Sequence, residues 1–187
     1  MKRYIIFAGV NGAGKTTLYQ TYKEIKDVPR VNLDEIVREN GNWKNSQDVA
    51  RAGRIAVQLV KQFISEGRSF NQETTLCGKS ILRNIKAAKA VGFYIEVYFV
   101  GLSNPELAVE RVRQRVKDGG HGIPEADIIR RYDESINNLL NIMPICDRVG
   151  IYDNTKSFHQ VAIFENGKCI DRIDEMPDWC ERIFESK

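Results

Sequence analysis

Residues 9–16 read Gly9-Val10-Asn11-Gly12-Ala13-Gly14-Lys15-Thr16, a G-x-x-x-x-G-K-[ST] run that constrains the fold more tightly than any other stretch of the chain. Glycines at this spacing let successive backbone N–H groups turn inward around phosphate oxygens with no Cβ in the way. The geometry needs a buried strand before the loop and a helix after it, and both are legible. Tyr4 to Ala8 is an almost unbroken apolar run, and Leu18, Tyr22 and Ile25 share the face of a helix that Val28-Pro29 stops. The N-terminus of that helix adds its dipole to the same anion. Gly9, Asn11, Gly12, Ala13, Gly14, Lys15, Thr16 and Thr17 are therefore the candidate nucleotide-binding residues. The Lys15 ammonium is expected to reach the β- and γ-phosphates, and the Thr16 hydroxyl to ligate a metal ion. ATP and Mg²⁺ are the cofactors expected.

Strand and helix signals alternate nearly to the end of the chain, the signature of an α/β fold with a parallel sheet. Val31-Asn32-Leu33 is a second short strand leading into Asp34. Ser46 is placed to cap a long helix through Ala52, Ile55, Ala56, Leu59 and Phe63, with Gly67 just past its end. Ser69 to Leu76 is a polar strand carrying Glu73, and Phe93 to Val100 is an aromatic and β-branched strand. Between them Ile81, Leu82, Ile85 and Ala88 define a helix ended by Gly92. Ser103-Asn104-Pro105-Glu106 starts another helix, which Asp118-Gly119-Gly120-His121-Gly122 breaks, and Pro124 opens the next. Val149 to Tyr152 is one more strand. Asn166-Gly167 then marks a tight hairpin over about residues 159–174.

The 187 residues carry 28 Lys and Arg against 25 Asp and Glu, a net charge of +3. That balance offers no electrostatic footprint for nucleic acid. The four cysteines, Cys77, Cys146, Cys169 and Cys180, have no zinc-ligand spacing and read as reduced thiols. Lys2-Arg3 and the short apolar run behind them are too brief for a signal peptide, and Phe93 to Leu102 is far below the ~20 residues that span a bilayer. The expectation is a cytoplasmic, membrane-free protein of one domain, residues 1–187, without repeats or linkers.

What the triphosphate is used for must come from other residues. Phosphoryl transfer needs an acceptor held in line, a group that deprotonates it, and cations that offset charge on the transferring oxygens. Asp34 follows the second strand, at the end of the sheet where ligands bind, and is a candidate base for an acceptor hydroxyl. It reads equally well as the cap of a short helix over 35–39. Glu73 is similarly placed and could meet an acceptor hydroxyl, a magnesium-bound water or solvent. Arg111 and Arg115 project from one helix face. With the glycine-rich segment, His121, Arg130 and Arg131 they suit a lid over about 111–131 that closes cations on phosphate. The competing reading is a solvated face with Asp127–Arg131 and Arg130–Glu134 pairs. Asp153-Asn154 could contact adenine or simply make a turn.

Four stretches resemble the zeta-toxin / UDP-N-acetylglucosamine kinase family of P-loop kinases. They are Gly9–Thr16, Val31-Asn32-Leu33-Asp34, Glu73-Thr74-Thr75-Leu76, and Glu106 to Val112 continuing through Gly119-Gly120-His121 and Pro124 to Arg130-Arg131-Tyr132. The resemblance implies a P-loop nucleoside-triphosphate-hydrolase fold of the kinase type, a five-stranded parallel sheet between helices. It implies transfer of the ATP γ-phosphate to a sugar hydroxyl of a UDP-amino sugar, with Asp34 and Lys15 catalytic. Asn32, Glu73 and Thr74 would then line the acceptor site, and Arg111, Arg115, His121, Arg130 and Arg131 would supply lid contacts to phosphate. A protein antitoxin enters as a candidate partner beside the nucleotide and the small-molecule acceptor. The family carries an arginine about where His121 stands, and a neutral imidazole is a weaker phosphate clamp. Two alternatives remain at this point: a kinase for another small metabolite, and a regulatory ATPase with no phosphorylated product. Against the second, strand 93–100 ends in Val100-Gly101 and not in an acid.

Overall fold

The computed structural model describes residues 1–185. Seven strands form one sheet: β1 (Arg3–Ala8), β2 (Arg30–Asn32), β3 (Phe70–Thr74), β4 (Tyr94–Gly101), β5 (Arg148–Asp153), β6 (His159–Glu165) and β7 (Lys168–Arg172). Their spatial order is β2-β3-β1-β4-β5-β6-β7. The first five strands in that order are parallel, as expected, while β6 runs antiparallel to β5 and β7 antiparallel to β6. The hairpin is thus no separate appendage: β6 pairs with β5 along Arg148–Asp153 and widens the sheet to seven strands. Asn166 and Gly167 both take positive φ, 49° and 75°, which a two-residue turn between right-twisted strands requires.

The helices are α1 (Lys15–Thr21), α2 (Leu33–Asn40), α3 (Ser46–Glu66), α4 (Lys79–Ala90), α5 (Pro105–Lys117), α6 (Glu125–Ile142) and α7 (Asp178–Glu185). Both faces of the sheet are covered. On one, Phe7 packs against Tyr19 and Tyr22 from the α1 side and against Tyr98; on the other, Tyr4 stacks on Phe70, which meets Phe63 of α3. β1 is accordingly buried on both faces from Tyr4 to Ala8. None of the described helices is long and apolar enough to cross a membrane.

Several boundaries differ from the sequence expectation for local reasons. α1 ends at Thr21, because Tyr22 leaves helical geometry (φ −89°, ψ 88°). Ile25 keeps its apolar phase through a separate 3-10 turn at Lys23–Ile25. Asn45 caps α3, its side chain accepting from the Gln47 amide, and Ser46 is the first helical residue. Leu33 belongs to α2 and not to β2, since Asn32 caps that helix. Cys146 and Cys180 are buried, Cys77 and Cys169 partly so, and all four are free thiols.

Candidate active site

The C-terminal ends of β1, β2 and β3 meet at one edge of the sheet. There they open into a cavity of about 1060 Å³ bounded by the P-loop, the start of α2, Trp43, the end of β3 and the Arg111–Glu134 region. This is the crevice in which parallel α/β sheets bind ligands.

The P-loop has little freedom to vary. Gly9 sits at φ +137°, and a Cβ there would lie 2.2 Å from the Val100 carbonyl oxygen, so this glycine lets the loop leave β1 against β4. Gly14 (φ +102°) would collide with the Asn154 amide, which donates to the Ala13 carbonyl at 2.9 Å and braces the loop from β5's end. The Ala13 amide turns back on the Val10 carbonyl. α1 has no side-chain cap, and its first backbone bond is Leu18 N–H to the Gly14 carbonyl. The amides of Lys15, Thr16 and Thr17 therefore lack intrahelical partners, the usual state of donors at an anion site. Lys15 is 8% exposed and parks its ammonium on the Val10 carbonyl at 3.0 Å. Burial lowers its pKa, opposed by the carboxylates of Glu73 and Asp34.

Thr16 Oγ1 lies 3.0 Å from both carboxylate oxygens of Glu73. The register places Glu73 beside Phe7 of β1 and Asn32 of β2, one strand away from the P-loop. Glu73 thus faces the P-loop side of the cavity, and of the options left open by the sequence its contact with Thr16 favours the magnesium-bound water. β4, the strand whose end carries no acid, is on the other side of β1. A hydroxyl and one carboxylate, completed by phosphate oxygens and water, match the donor set of Mg²⁺, which takes few protein ligands. No cluster of three or more His, Cys, Asp or Glu among the described residues could hold a metal unaided.

Asn32 is not free for substrate. Its Oδ1 accepts the Asp34 amide at 2.8 Å, its Nδ2 donates to Glu73 at 3.1 Å, and it is 6% exposed. The Thr74 hydroxyl oxygen accepts from the Leu76 amide at 3.0 Å, and the residue stays on the cavity wall. Asp34, capped by Asn32 instead of capping the helix itself, keeps a side chain 47% exposed at the cavity wall.

The lid residues divide sharply. Arg115 Nη2 donates to the His121 carbonyl at 3.0 Å and lies 3.1 Å from His121 Nε2. A guanidinium has no acceptor, so Nε2 accepts and the ring is neutral. Burial lowers the His121 pKa; Arg115 pushes the same way, and Asp34, whose Oδ2 is 3.5 Å from Nε2, pushes against it. The other face of the imidazole lies on Trp43, centroids 3.8 Å apart. His121 thus buttresses Arg115. Arg131 reaches the P-loop, donating to Asn11 Oδ1 at 3.1 Å. Arg111 binds the carbonyls of Asn154 and Thr155 at the cavity rim. Arg130 is exposed and paired with Asp127 and Glu134, the solvated-face arrangement. The expected Asp127–Arg131 pair is replaced by Asp127–Arg130. Asp153 is buried, accepting from Trp179 Nε1 and from Thr155, which removes it from any base contact.

Two participants were not singled out from sequence. Trp43 had only its place in a polar loop. Arg30 starts β2, and its side chain, 9% exposed, bonds Glu73 at 2.6 Å and Glu35 at 3.0 Å.

The family model of the AAA domain matches residues 5–132, from β1 into α6. The chain belongs to the AAA domain family. The AAA-domain match is accompanied by an uncharacterized protein of Haemophilus influenzae, 33% identical over 128 residues, 68% of this chain and 91% of that one. Among solved structures, this AAA-domain chain resembles one from the PezAT chromosomal toxin-antitoxin system of Streptococcus pneumoniae. That match has 19% identity and a TM-score of 0.59, covering 86% of this chain and 72% of that one. It also resembles AvrRxo1-ORF1:AvrRxo1-ORF2 with sulphate ions (16% identity, TM-score 0.69, 100% and 65%) and the same pair with ATP (16%, 0.61, 99% and 63%). The chain spans a little under two thirds of the length of these AvrRxo1 chains. These likenesses show the fold: α/β, of the P-loop kinase type.

Proposed function

We propose that this AAA-domain protein is a P-loop kinase that transfers the γ-phosphate of ATP to a hydroxyl of a small molecule, a UDP-amino sugar being the acceptor that the sequence resemblance favours. The observation that carries the reading is the half-exposed carboxylate of Asp34 on the wall of the same cavity that holds Lys15 and the Thr16–Glu73 pair.

Phosphoryl transfer proceeds through a transition state whose charge spreads over the equatorial oxygens, so catalysis is positioning plus electrostatics. The P-loop amides and Lys15 hold the triphosphate. Thr16, with Glu73 behind it, would hold magnesium, which when bound offsets charge between the β- and γ-phosphates. Asp34 takes the proton of the acceptor hydroxyl as its oxygen bonds to the γ-phosphorus and the bond to the ADP oxygen breaks. Arg131 on the P-loop and Arg115 on the His121 buttress bring two guanidinium groups to the phosphate side, and the lid's closure excludes water.

The ATP-containing AvrRxo1 structure and the toxin-antitoxin origin of the pneumococcal one support a nucleotide ligand and a protein partner for a fold of this kind. The test is incubation with ATP, Mg²⁺ and a mixture of nucleotide sugars, followed by mass spectrometry for a product heavier by one phosphoryl group. ADP formed with no phosphorylated product across a broad alcohol screen would replace this reading with a regulatory ATPase.

A further inference from the structure

The nucleotide end of the cavity contains a charged side chain with no place in the scheme above. Arg30 opens β2 two strands away from the P-loop, yet its guanidinium touches three elements at once. Nη2 donates to Glu73 Oε2 at 2.6 Å, Nε donates to Glu35 Oε1 at 3.0 Å, and the guanidinium carbon lies 3.5 Å from the centre of the Tyr19 ring on α1. Nη1 is buried without a partner. An unpaired buried donor is destabilising, a cost set against the two ion pairs and the ring contact that the same guanidinium makes.

We propose that Arg30 is the positioning residue for the metal side of the site, holding Glu73 against the Thr16 hydroxyl so that both oxygen donors are aimed before magnesium arrives. The division of Glu73's hydrogen bonds supports this. Oε2 receives Arg30, Asn32 and Thr16, whereas Oε1 receives Thr16 alone among the described residues. The fork therefore spends one oxygen on fixing the carboxylate and leaves the other with the Thr16 hydroxyl as its one described partner, on the side where the metal or its water would bind. A lysine would keep the charge but could not bridge two carboxylates in one plane while stacking on a ring. Tyr19 lies on the helix that carries Thr16, so the same guanidinium registers α1 against β3.

The inference rests on the P-loop kinase reading, and the experiment separates the two. A fluorescent ATP analogue is titrated into wild type and Arg30→Lys, in EDTA and then across a Mg²⁺ series. Arg30→Lys holds the local charge constant, so only the fork geometry changes. In EDTA its affinity for the analogue is expected to stay within about twofold of wild type. The Mg²⁺ concentration at half-effect is expected to rise about tenfold or more, within the ~10–100-fold that loss of an outer-shell partner produces. In a Glu73→Gln background the Arg30→Lys change is expected to add nothing further, because Arg30 acts through that carboxylate. Arg30→Gln serves as the second variant if the lysine does not fold.

An unchanged Mg²⁺ midpoint overturns the proposal. So does an affinity in EDTA that falls as far as the affinity in Mg²⁺, since Arg30 would then merely hold the fold together. Full additivity with Glu73→Gln overturns it as well. Failure of wild type to bind the analogue under any condition instead removes the kinase reading itself.

Discussion

The imidazole of His121 lies flat on the indole of Trp43, the two planes within 5° and their centroids 3.8 Å apart. One ring belongs to the glycine-rich segment between α5 and α6, the other to the loop between α2 and α3, so the contact ties the two rims of the cavity together. A stacked aromatic pair is worth ~0.5–1.5 kcal/mol beyond the area it buries. Trp43→Ala is therefore expected to loosen residues 118–124, which limited proteolysis would read as severalfold faster cleavage there, with nucleotide binding retained. Equal cleavage of variant and wild type would show that the stack carries no part of the lid's order.

The protonation state of His121 gives a pH dependence of definite sign. Its folded pKa is depressed, chiefly by burial, whereas in the unfolded chain a histidine titrates near ~6.5. Between those values the unfolded state binds more protons than the native state. The stabilisation is therefore complete above ~6.5 and is lost as the pH falls through that window. Melting temperatures of wild type should fall more between pH 7 and pH 5 than those of His121→Gln. Parallel decline in both proteins would remove His121 from the account.

Asp34→Asn keeps the size of the side chain and the Asn32 cap but abolishes the base. ATP binding is expected to be unchanged while transfer drops by ~10²–10⁴, the usual contribution of a positioned general base. Transfer at the wild-type rate would assign the proton to another group.

Arg130 and Arg131 are adjacent in sequence and are expected to behave oppositely. Arg131 donates to Asn11 of the P-loop, and Arg131→Ala should lower turnover about tenfold or more. Arg130 is held by two exposed carboxylates, so Arg130→Ala should stay within about twofold. A steady-state comparison of the two variants decides between a phosphate-facing and a solvated role for each.

Much of this molecule was legible because its strongest signals are local. The glycine spacing, the apolar β1 run and the Asn166-Gly167 turn each depend on neighbours in sequence, and each has the structure its chemistry demands. What escaped depends on strand order. Glu73 stays open in the sequence between an acceptor hydroxyl, a magnesium-bound water and solvent, because nothing in residues 70–76 says that β3, not β4, carries the acid facing Thr16. Asn32 and Thr74 look like polar residues at a ligand edge, but Asn32 also caps α2 and holds Glu73, and the Thr74 oxygen also accepts from the Leu76 amide. Trp43 sits in a polar loop with no periodicity to mark it, and the histidine it stacks on is 78 positions away. His121 was read as a weak clamp from its residue type. Its role as a support follows only from the Arg115 geometry, where the donor-only guanidinium fixes the ring's proton.

At the opposite end of the chain, the indole of Trp179 presses directly on Gly101, where any β-carbon would come within 2.2 Å, and its Nε1 holds Asp153. The next residue, Asn154, grips Ala13 in the P-loop. The nucleotide cradle formed by the first sixteen residues thus leans on a ring 179 positions along. Shortening the protein after β7 would leave the cradle's sequence untouched and remove its backrest, so a trimmed version could not stand for the whole in any binding measurement.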